Sequence, residues 1–406
     1  MNDFFGKLLN YVWMFCLKLT ASLPLIKEPK LFEGENSSLD LIDYMASQKH
    51  KSVLIVTGAG LIRRGQVQPI IDRFAELNIS VTIFDRVEPD PTFSITNEAL
   101  NLLNENNCQS VLAIGGGSAM DLAKVIALSA SNKKKPEKLT GYFKALKKPL
   151  PFYAIPTTAG TGSEVTVISV ISDNQTKSKS FVIDPRTASL ATALDPVFMI
   201  TIPPALTAAT GMDALTHAIE AYVGRNGSAY TDEQALAAIR LIFKNLPIAF
   251  KDGSNIEARS ALALASYKAG LAFTKASLGY VHAISHQLGA KYGVAHGLGN
   301  AIVLPHVIQY SAPSIEVKLA TIAQEVGIVQ QGDDTKQSAK RVVEYLFAFN
   351  KAVDIPETIA ELQEEDFPSI VKDAMSEAYF NYPVPKFMPE QDCNTLLQQL
   401  LPNTVA

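Results

Sequence analysis

A regular alternation between short β-branched runs and amphipathic segments is the feature of this sequence that most restricts its fold. Runs typical of buried strands occur at residues 52–57, 81–84, 110–114 and 152–155. Apolar residues at helical spacing follow each of the first three runs. Strands that alternate with helices in this way form parallel sheets, because each helix carries the chain back to the start of the next strand. We therefore predict a parallel, doubly wound sheet in the amino-terminal half of the chain.

The length of the chain and a change of composition predict two domains. With 406 residues, the chain is longer than one hydrophobic core usually organises. After Pro203 and Pro204 the β-branched runs give way to long segments rich in Ala and Leu. We predict an amphipathic extension over residues 1–28, an α/β amino-terminal domain over 29–203 and an all-α carboxy-terminal domain over 204–406.

The first residues of the chain are apolar but do not have the pattern of a targeting or spanning segment. Asp3, and not a basic region, precedes the run FFGKLLNYVWMFCLKL at residues 4–19. The run is shorter than the roughly 20 apolar residues that a spanning helix needs, and Lys7 and Lys18 interrupt it. We predict an amphipathic helix that packs on the protein itself or on a partner. A helix that lies on a membrane surface is the alternative.

Charge and cysteine content restrict the partners and the compartment. With 36 basic and 40 acidic residues the net charge is −4, so the sequence does not indicate a nucleic-acid surface. Cys16, Cys108 and Cys393 are scattered and form no CxxC pair. A disulfide framework is therefore not expected, and a reducing, cytoplasmic location is predicted.

Two loops rich in Gly, Ser and Thr follow predicted strands. GGGS at residues 115–118 lies between a strand and a helix, and PTTAGTGSE at 156–164 follows the next strand. Glycine lets the backbone approach a ligand closely, and a helix amino terminus favours phosphate. The two loops predict a nucleotide site, although neither has the GxGxxG pattern. The alternative is a tight turn before a capped helix, since Ser118 and Asp121 have the spacing of a capping box.

Histidines and one carboxylate recur at helical spacing in the carboxy-terminal half. The segment 279–301 contains three of the six histidines, and a second segment, 211–222, contains an Asp-x-x-x-His pair. The residues concerned are Asp213, His217, His282, His286 and His296. Residues four apart share one face of a helix, so the two segments could surround a divalent metal. The alternative is that they are separate core residues, and Glu220 could either support a ligand from behind or form a surface salt bridge.

Four long motifs in order give the chain a family resemblance. They are GGGSAMDLAK at 115–124, PTTAGTGSEVT at 156–166, GMDALTHAIEAY at 211–222 and HAISHQLGAKYGVAHGLGNAIVLPH at 282–306. The chain resembles the iron-containing (group III) alcohol dehydrogenases from about Pro29 to at least His306. The resemblance implies a dehydroquinate-synthase-like fold with an active site between the two domains. It also implies hydride transfer between a small alcohol or aldehyde and NAD or NADP, and a homo-oligomer, commonly a dimer.

The same resemblance implies roles for individual residues. The metal, usually iron(II) with zinc possible, would be held by Asp213, His217, His282 and His296. His286 matches a histidine near the nicotinamide that is not a ligand, and it would relay the proton of the reaction. The cofactor would be bound by Gly58, Gly116, Gly117, Ser118, Asp121, Thr157, Thr158, Thr161 and Lys179.

Other functions on the same fold are alternatives. A lyase similar to dehydroquinate synthase would need a cluster of basic residues around the metal, and the metal motifs contain only one Lys or Arg, Lys291. A glycerol dehydrogenase-like enzyme differs only in its substrate. A third alternative is a non-catalytic assembly protein that kept the fold. Purified protein without bound metal would favour it.

One departure from the family pattern concerns the choice between NAD and NADP. Many family members carry Asp just after the first strand of the nucleotide-binding domain, where the carboxylate repels the 2′-phosphate of NADP. Here that position is Gly58, and Arg63 and Arg64 follow. Arginine suits phosphate, so we predict that NADP is used, alone or beside NAD. The alternative is a simple turn glycine and ordinary use of NAD.

Overall fold

The computed structural model describes Asn10, Val12, Met14 and residues 26–173 and 179–402. Apart from the first three of these residues, the amphipathic helix predicted at 4–19 lies outside the described residues. The chain divides into two compact units, Pro24–Thr201 and Ile202–Ala406, and the latter includes Asn10, Val12 and Met14.

The amino-terminal unit contains nine strands and five α-helices among its described residues. The strands are β1 (Lys30–Glu33), β2 (Ser52–Thr57), β3 (Ser80–Phe84), β4 (Ser110–Gly115), β5 (Gly141–Tyr142), β6 (Phe152–Pro156), β7 (Ile168–Ser172), β8 (Lys179–Ile183) and β9 (Ala191–Leu194). The helices are α1 (Ser37–Ser47), α2 (Ala59–Arg63), α3 (Gln68–Glu76), α4 (Phe93–Glu105) and α5 (Gly117–Asn132), with short 3₁₀ helices at Pro136–Leu139 and Pro196–Phe198.

Six of the strands form one parallel sheet in the order β1-β9-β6-β4-β2-β3. The other three form a small sheet in the order β5-β8-β7, in which β7 and β8 are antiparallel. The parallel sheet confirms the predicted fold class of this unit. It also brings the loops after β2, β4 and β6 to one edge, because the strands are parallel neighbours.

Helices cover both faces of the large sheet, because both faces of its central strands are apolar. Ile55 and Leu112 lie in a core cluster with Phe74 of α3. Leu54 lies in a second cluster with Ile126 of α5. Consecutive strand residues point to opposite faces, so a run without polar residues requires a helical layer on each side.

The carboxy-terminal unit contains no strand within its described residues. Its helices are α6 (Pro204–Val223), α7 (Ala229–Lys251), α8 (Ile256–Ala276), α9 (Tyr280–Tyr292), α10 (His296–Glu325), α11 (Thr335–Ala352), α12 (Phe367–Asn381) and α13 (Glu390–Gln398), with a 3₁₀ helix at Glu364–Asp366. This composition confirms the predicted all-α domain. No helix in the described part of the chain combines the length and the apolar character needed to cross a bilayer.

Two of the three described residues of the amino-terminal extension, Asn10 and Met14, contact the helical unit. Asn10 and Met14 are buried. The Asn10 side chain accepts a hydrogen bond of 2.9 Å from Arg225 Nη2, and the Met14 carbonyl accepts one of 3.3 Å from Asn226 Nδ2. Val12 is 54% exposed. Packing of the whole extension on the protein stays a prediction.

Candidate functional site

Three helices of the carboxy-terminal unit bring one carboxylate and three imidazoles together. Asp213 and His217 share a face of α6, while His282 lies on α9 and His296 begins α10. One possible ligand atom from each of the four lies within 4.8 Å of those of the other three. Asp213 Oδ1 is 3.9 Å from His217 Nε2, 4.0 Å from His282 Nε2 and 3.4 Å from His296 Nε2. The cluster consists of the four residues that the resemblance implies as metal ligands.

Burial and ring stacking separate most of this cluster from solvent. Asp213, His217 and His282 are buried, whereas the side chain of His296 is 39% exposed. The His217 ring is stacked between Phe273, at a centroid distance of 4.3 Å, and His282, at 4.7 Å. The cluster is therefore open on the His296 side.

A glycine at the start of α10 allows that helix to approach α6 closely. A Cβ atom added at Gly297 would lie 2.4 Å from the carbonyl oxygen of Ala209 and 3.3 Å from Asp213 Cβ. Real side chains do not make such short contacts with backbone, so any larger residue would push His296 away from Asp213.

Glu220 supports the cluster from behind. Its carboxylate accepts hydrogen bonds from the backbone N–H groups of Gly279, at 3.0 Å, and Val281, at 2.7 Å, at the amino terminus of α9. Its Oε2 is 2.6 Å from His282 Nδ1. The surface salt bridge considered from the sequence is wrong, because Glu220 is buried and only 4% exposed. This contact favours a proton on Nδ1 and leaves the Nε2 lone pair of His282 facing the cluster.

Burial is the main cause of the pKa shifts of His282 and Glu220. Burial lowers the pKa of His282 well below its usual 6.5, and the neighbouring histidines, His217 first, lower it further. The imidazole is therefore neutral at pH 7, as a metal ligand must be. Burial raises the pKa of the Glu220 carboxyl, and the N–H donors of α9 oppose that shift.

Asn300 is a member of this site that the sequence reasoning missed. Its Nδ2 donates to Asp213 Oδ1 at 2.8 Å and lies 3.2 Å from both His282 Nε2 and His296 Nε2. A signal for it exists in the sequence, since it follows His296 by four residues on α10 and so shares its face.

His286 lies beside the cluster and is held by a carboxylate. Its Nδ1 is 2.7 Å from Glu377 Oε1, and its ring is stacked on His296 at a centroid distance of 5.3 Å. Glu377 is fixed in turn by the Tyr382 hydroxyl at 2.7 Å and by Gln287 Nε2 at 3.0 Å. Sequence reasoning did not find Glu377, because it lies 91 residues from His286 and in no recognisable motif.

The two Gly/Ser/Thr loops of the amino-terminal unit touch each other. Gly116 precedes α5, and a Cβ added there would lie 3.2 Å from Thr158 Oγ1. A Cβ on Gly117 would lie 3.0 Å from Thr161 Cγ2. Thr157 N–H donates to the Gly115 carbonyl at 2.9 Å. The glycines therefore leave room for the close approach of the second loop, while Gly117 and Ser118 occupy the first turn of α5.

Both oxygens of the Asp121 carboxylate accept hydrogen bonds from the amino-terminal unit. Asp121 Oδ1 accepts from Ser163 Oγ at 2.7 Å, and its Oδ2 accepts from Val170 N–H at 2.9 Å. The capping box considered for Ser118 and Asp121 is wrong, since α5 is preceded by Gly116 and has no side-chain cap. Burial raises the pKa of Asp121, and the Lys124 ammonium opposes that shift.

Lys124 was also missed, and it connects α5 to the second loop. Its side chain is fully buried. Its Nζ donates to Ser163 Oγ at 2.8 Å, to Thr166 Oγ1 at 2.9 Å and to the Ile168 carbonyl at 3.0 Å. Burial lowers its pKa to about 8. This ammonium therefore fixes the segment 163–168 on α5.

The remaining predicted cofactor residues lie elsewhere in the amino-terminal unit. Lys179 begins β8, and its Nζ is 3.0 Å from Asp90 Oδ1. Gly58 directly follows β2 and forms an isolated antiparallel bridge with Arg86. Arg63 and Arg64 are exposed on α2 and at its end.

Comparisons with known proteins match both parts of the chain to one family. Residues 29–196 match the family described as "Iron-containing alcohol dehydrogenase", and residues 207–401 match "Fe-containing alcohol dehydrogenase family, C-terminal". The chain is 40% identical to alcohol dehydrogenase 4 of Saccharomyces cerevisiae over 368 residues, which are 89% of this chain and 94% of that protein. It is also 40% identical to the NAD-dependent methanol dehydrogenase of Bacillus methanolicus, over 80% of this chain and 86% of that one.

A solved structure shows the same fold. The crystal structure of a 1,3-propanediol oxidoreductase has a TM-score of 0.88 and 35% sequence identity, and the match covers 92% of this chain and 99% of that one. Its fold and the two family matches together span both units. This chain therefore belongs to the iron-containing alcohol dehydrogenase family, and it is an oxidoreductase that transfers hydride between an alcohol and a nicotinamide cofactor.

Proposed function

We propose that Asp213, His217, His282 and His296 hold one divalent cation, iron(II) in the first place and zinc as the alternative. The proposal is supported by the distances between their possible ligand atoms. Four ligands about 2.1 Å from one tetrahedral centre lie about 3.4 Å apart, and three of the measured separations are 3.4, 3.9 and 4.0 Å. One oxygen and three nitrogens suit either metal.

The chain prepares these residues for a cation. Glu220 orients the His282 imidazole through Nδ1, and its own position is fixed by the amino terminus of α9. When bound, the cation acts as a Lewis acid on the alcohol, and the nicotinamide exchanges a hydride with the carbinol carbon. The exposed side of the cluster, at His296, is where a substrate would enter.

His286 is the proposed proton relay. An imidazole can accept and release a proton near neutral pH. Its Nδ1 faces Glu377, so Nε2 is the atom that would take the proton of the alcohol in oxidation and return it in aldehyde reduction. Because the carboxylate of Glu377 is held by Tyr382 and Gln287, the ring has a defined orientation.

The cofactor is proposed to bind at the edge of the sheet where β2, β4 and β6 end. Gly116, Gly117 and Ser118 at the start of α5 suit the pyrophosphate, because a helix amino terminus presents free N–H groups. Thr157, Thr158 and Thr161 would line the same ligand from the second loop. The role of Lys179 near the ribose rests on the resemblance, and Asp121 would act by holding Ser163.

NADP is proposed to be accepted in addition to NAD. No carboxylate follows β2, since the position is Gly58. The neighbouring segments carry Arg63, Arg64 and Arg86. The backbone of Arg86 forms the isolated β-bridge with Gly58. Guanidinium groups bind phosphate in two-pronged hydrogen bonds, so this surface suits a 2′-phosphate.

The substrate is proposed to be a small alcohol and its aldehyde. This follows the names of the relatives, which act on alcohols, methanol or 1,3-propanediol. We also propose a cytoplasmic homo-oligomer whose amino-terminal extension packs on the protein. The scattered cysteines, of which Cys108 and Cys393 are free and buried, support a reducing compartment.

One observation carries this proposal: four groups suited to a metal converge from three helices in the described part of the chain. Purified protein should contain close to one divalent metal per chain. After removal by a chelator, iron(II) and zinc should be added back separately. A panel of short alcohols should then produce absorbance at 340 nm with NAD and NADP only in the reloaded protein. Full activity of the stripped protein would contradict the metal proposal.

A further inference from the structure

Asn300 lies at the centre of the proposed ligand set. Its side chain is fully buried on α10, one turn after His296. The carboxamide nitrogen is within hydrogen-bond distance of ligand atoms from three of the four residues: Asp213 Oδ1 at 2.8 Å, His282 Nε2 at 3.2 Å and His296 Nε2 at 3.2 Å. Three acceptors that belong to three different helices therefore meet at one amide.

The three acceptors differ in what they can still do when a cation is bound. A neutral imidazole nitrogen has a single lone pair, which a metal would take. A carboxylate oxygen has two lone-pair sites and can bind a metal and accept an N–H at the same time. The contact with Asp213, which is also the shortest, is therefore the one compatible with a loaded site.

The Asn300 side chain makes no further hydrogen bond with the described residues. Asn300 Oδ1 is buried and has no hydrogen-bond partner among the described residues. A buried amide with an unpaired oxygen opposes folding, so its presence is not explained by stability. Within the described part of the chain, its nitrogen makes hydrogen bonds only with atoms that the metal site would use.

We propose that Asn300 is a positioning residue of the metal centre, which rests on the proposed metal site. Its Nδ2 donates to Asp213 Oδ1 and keeps that oxygen within the ligand set. Without metal, the second N–H of the same amide lies within reach of both His282 Nε2 and His296 Nε2 and can hold the lone pair of either toward the same point. The ligand atoms are thereby arranged before the cation arrives.

The test is the affinity of Asn300→Ala for a metal probe. Cobalt(II) should be titrated into chelator-stripped full-length protein in competition with a coloured chelator, and its visible d–d bands recorded. Outer partners of metal ligands typically contribute 10- to 100-fold to affinity, so the dissociation constant should rise by about that factor. The bands should also change, because an unrestrained Asp213 alters the coordination geometry.

A matched control is available in the same helical unit. Asn350 is also a buried asparagine, and among the described residues its Nδ2 has one bond, to the Ala301 carbonyl at 2.7 Å, and its Oδ1 has no partner. It belongs to α11 and contacts none of the four proposed ligands in the described structure. Asn350→Ala should bind cobalt with the affinity and spectrum of the unmodified protein. An equal loss in Asn350→Ala would overturn the proposal, because the effect would then be general loosening of the unit.

A second variant separates the hydrogen bond from the volume of the side chain. Asn300→Leu fills the same space without a donor, and it should lose affinity as Asn300→Ala does. A leucine variant that bound cobalt like the unmodified protein would overturn the role of the N–H. So would an alanine variant within threefold of the unmodified protein with unchanged bands. Failure of the unmodified protein to bind any metal would instead refute the proposed metal site itself.

Discussion

The proposed metal site and the proposed cofactor loops are made from different parts of the polypeptide. In the helical unit, side chains of α6, α9 and α10 supply the four proposed ligands, and Glu220 and Asn300 contact His282 and Asp213. At the edge of the parallel sheet, the backbone of Gly116 and Gly117 is the main surface, and side chains such as Lys124 act from beneath it. A site made of side chains loses its function when one of those side chains is truncated. A site made of backbone loses its function only when a side chain is added at a glycine or when the contacts that support the loop are lost.

The largest expected effect separates these two kinds of site. His282→Ala should remove the metal and lower turnover on the order of 10³-fold or more, as expected for the loss of several kcal/mol of transition-state stabilisation. NAD binding, measured by fluorescence titration, should be unchanged, because its proposed residues belong to the other unit.

His286→Ala is the matched comparison within the same helix. Because its Nδ1 bonds Glu377 and it lies outside the four-residue cluster, it should retain metal and slow turnover by roughly 10²-fold, the lower range for general acid–base catalysis. Its pH–rate profile should also change. A metal-free His286→Ala protein would mean that His286 is a ligand.

The next effect tests the backbone site by adding a side chain. Gly58→Asp should weaken NADP far more than NAD, because like charges placed together in an interface cost several kcal/mol, a factor on the order of 10² or more. The added Cβ would lie 3.5 Å from the Val87 carbonyl, an ordinary contact, so the variant should fold. Dissociation constants for the two cofactors measure the ratio.

Gly58→Ala separates charge from bulk, since it adds the Cβ alone. It should leave the ratio of NADP to NAD affinity near that of the unmodified protein. The NADP proposal is wrong if the unmodified enzyme depends strictly on NAD. It is also wrong if Gly58→Asp leaves the ratio of NADP to NAD affinity unchanged.

The smallest effect concerns the support beneath the loops. The pKa of Lys124 is lowered from 10.5 to about 8 by burial, so between these values the unfolded chain binds more protons than the folded one. Stability should therefore rise with pH across this window, by roughly 3 kcal/mol at most for a shift of this size. Lys124→Met should lack that part of the rise.

Urea midpoints at pH 8, 9 and 10 measure this difference between the two proteins. Asp121 and Glu164 are the charged neighbours of the ammonium, and burial raises the pKa of Glu164 to about 7, which is below that window. Parallel pH profiles of the two proteins would contradict the assignment to Lys124. Exposed Lys133 offers a control, since Lys133→Met removes a lysine after the same helix without touching the buried cluster.

Local spacing was enough to predict much of this molecule. The alternation of strands and helices predicts the parallel sheet. It can be read from the sequence because strands and helices bury apolar residues at different spacings. The pairing of Asp213 with His217 on one helix face follows from their separation by four residues. Proposing which histidines are ligands required the motif resemblance, since the spacing of His282 and His286 alone would allow either to bind a metal.

Tertiary structure decided which distant residues complete each site. Glu220 lies 62 residues from His282, Glu377 lies 91 from His286, and Lys124 lies 39 from Ser163. No periodicity spans such distances, because these partners meet only after helices and strands have packed. Asn300 shares a face with His296 by spacing, yet its contact with Asp213 crosses 87 residues and depends on Gly297 letting α10 approach α6. The proposed ligands and His286 thus lie in motifs that are visible in the sequence, whereas the groups that contact them from behind are brought there by packing.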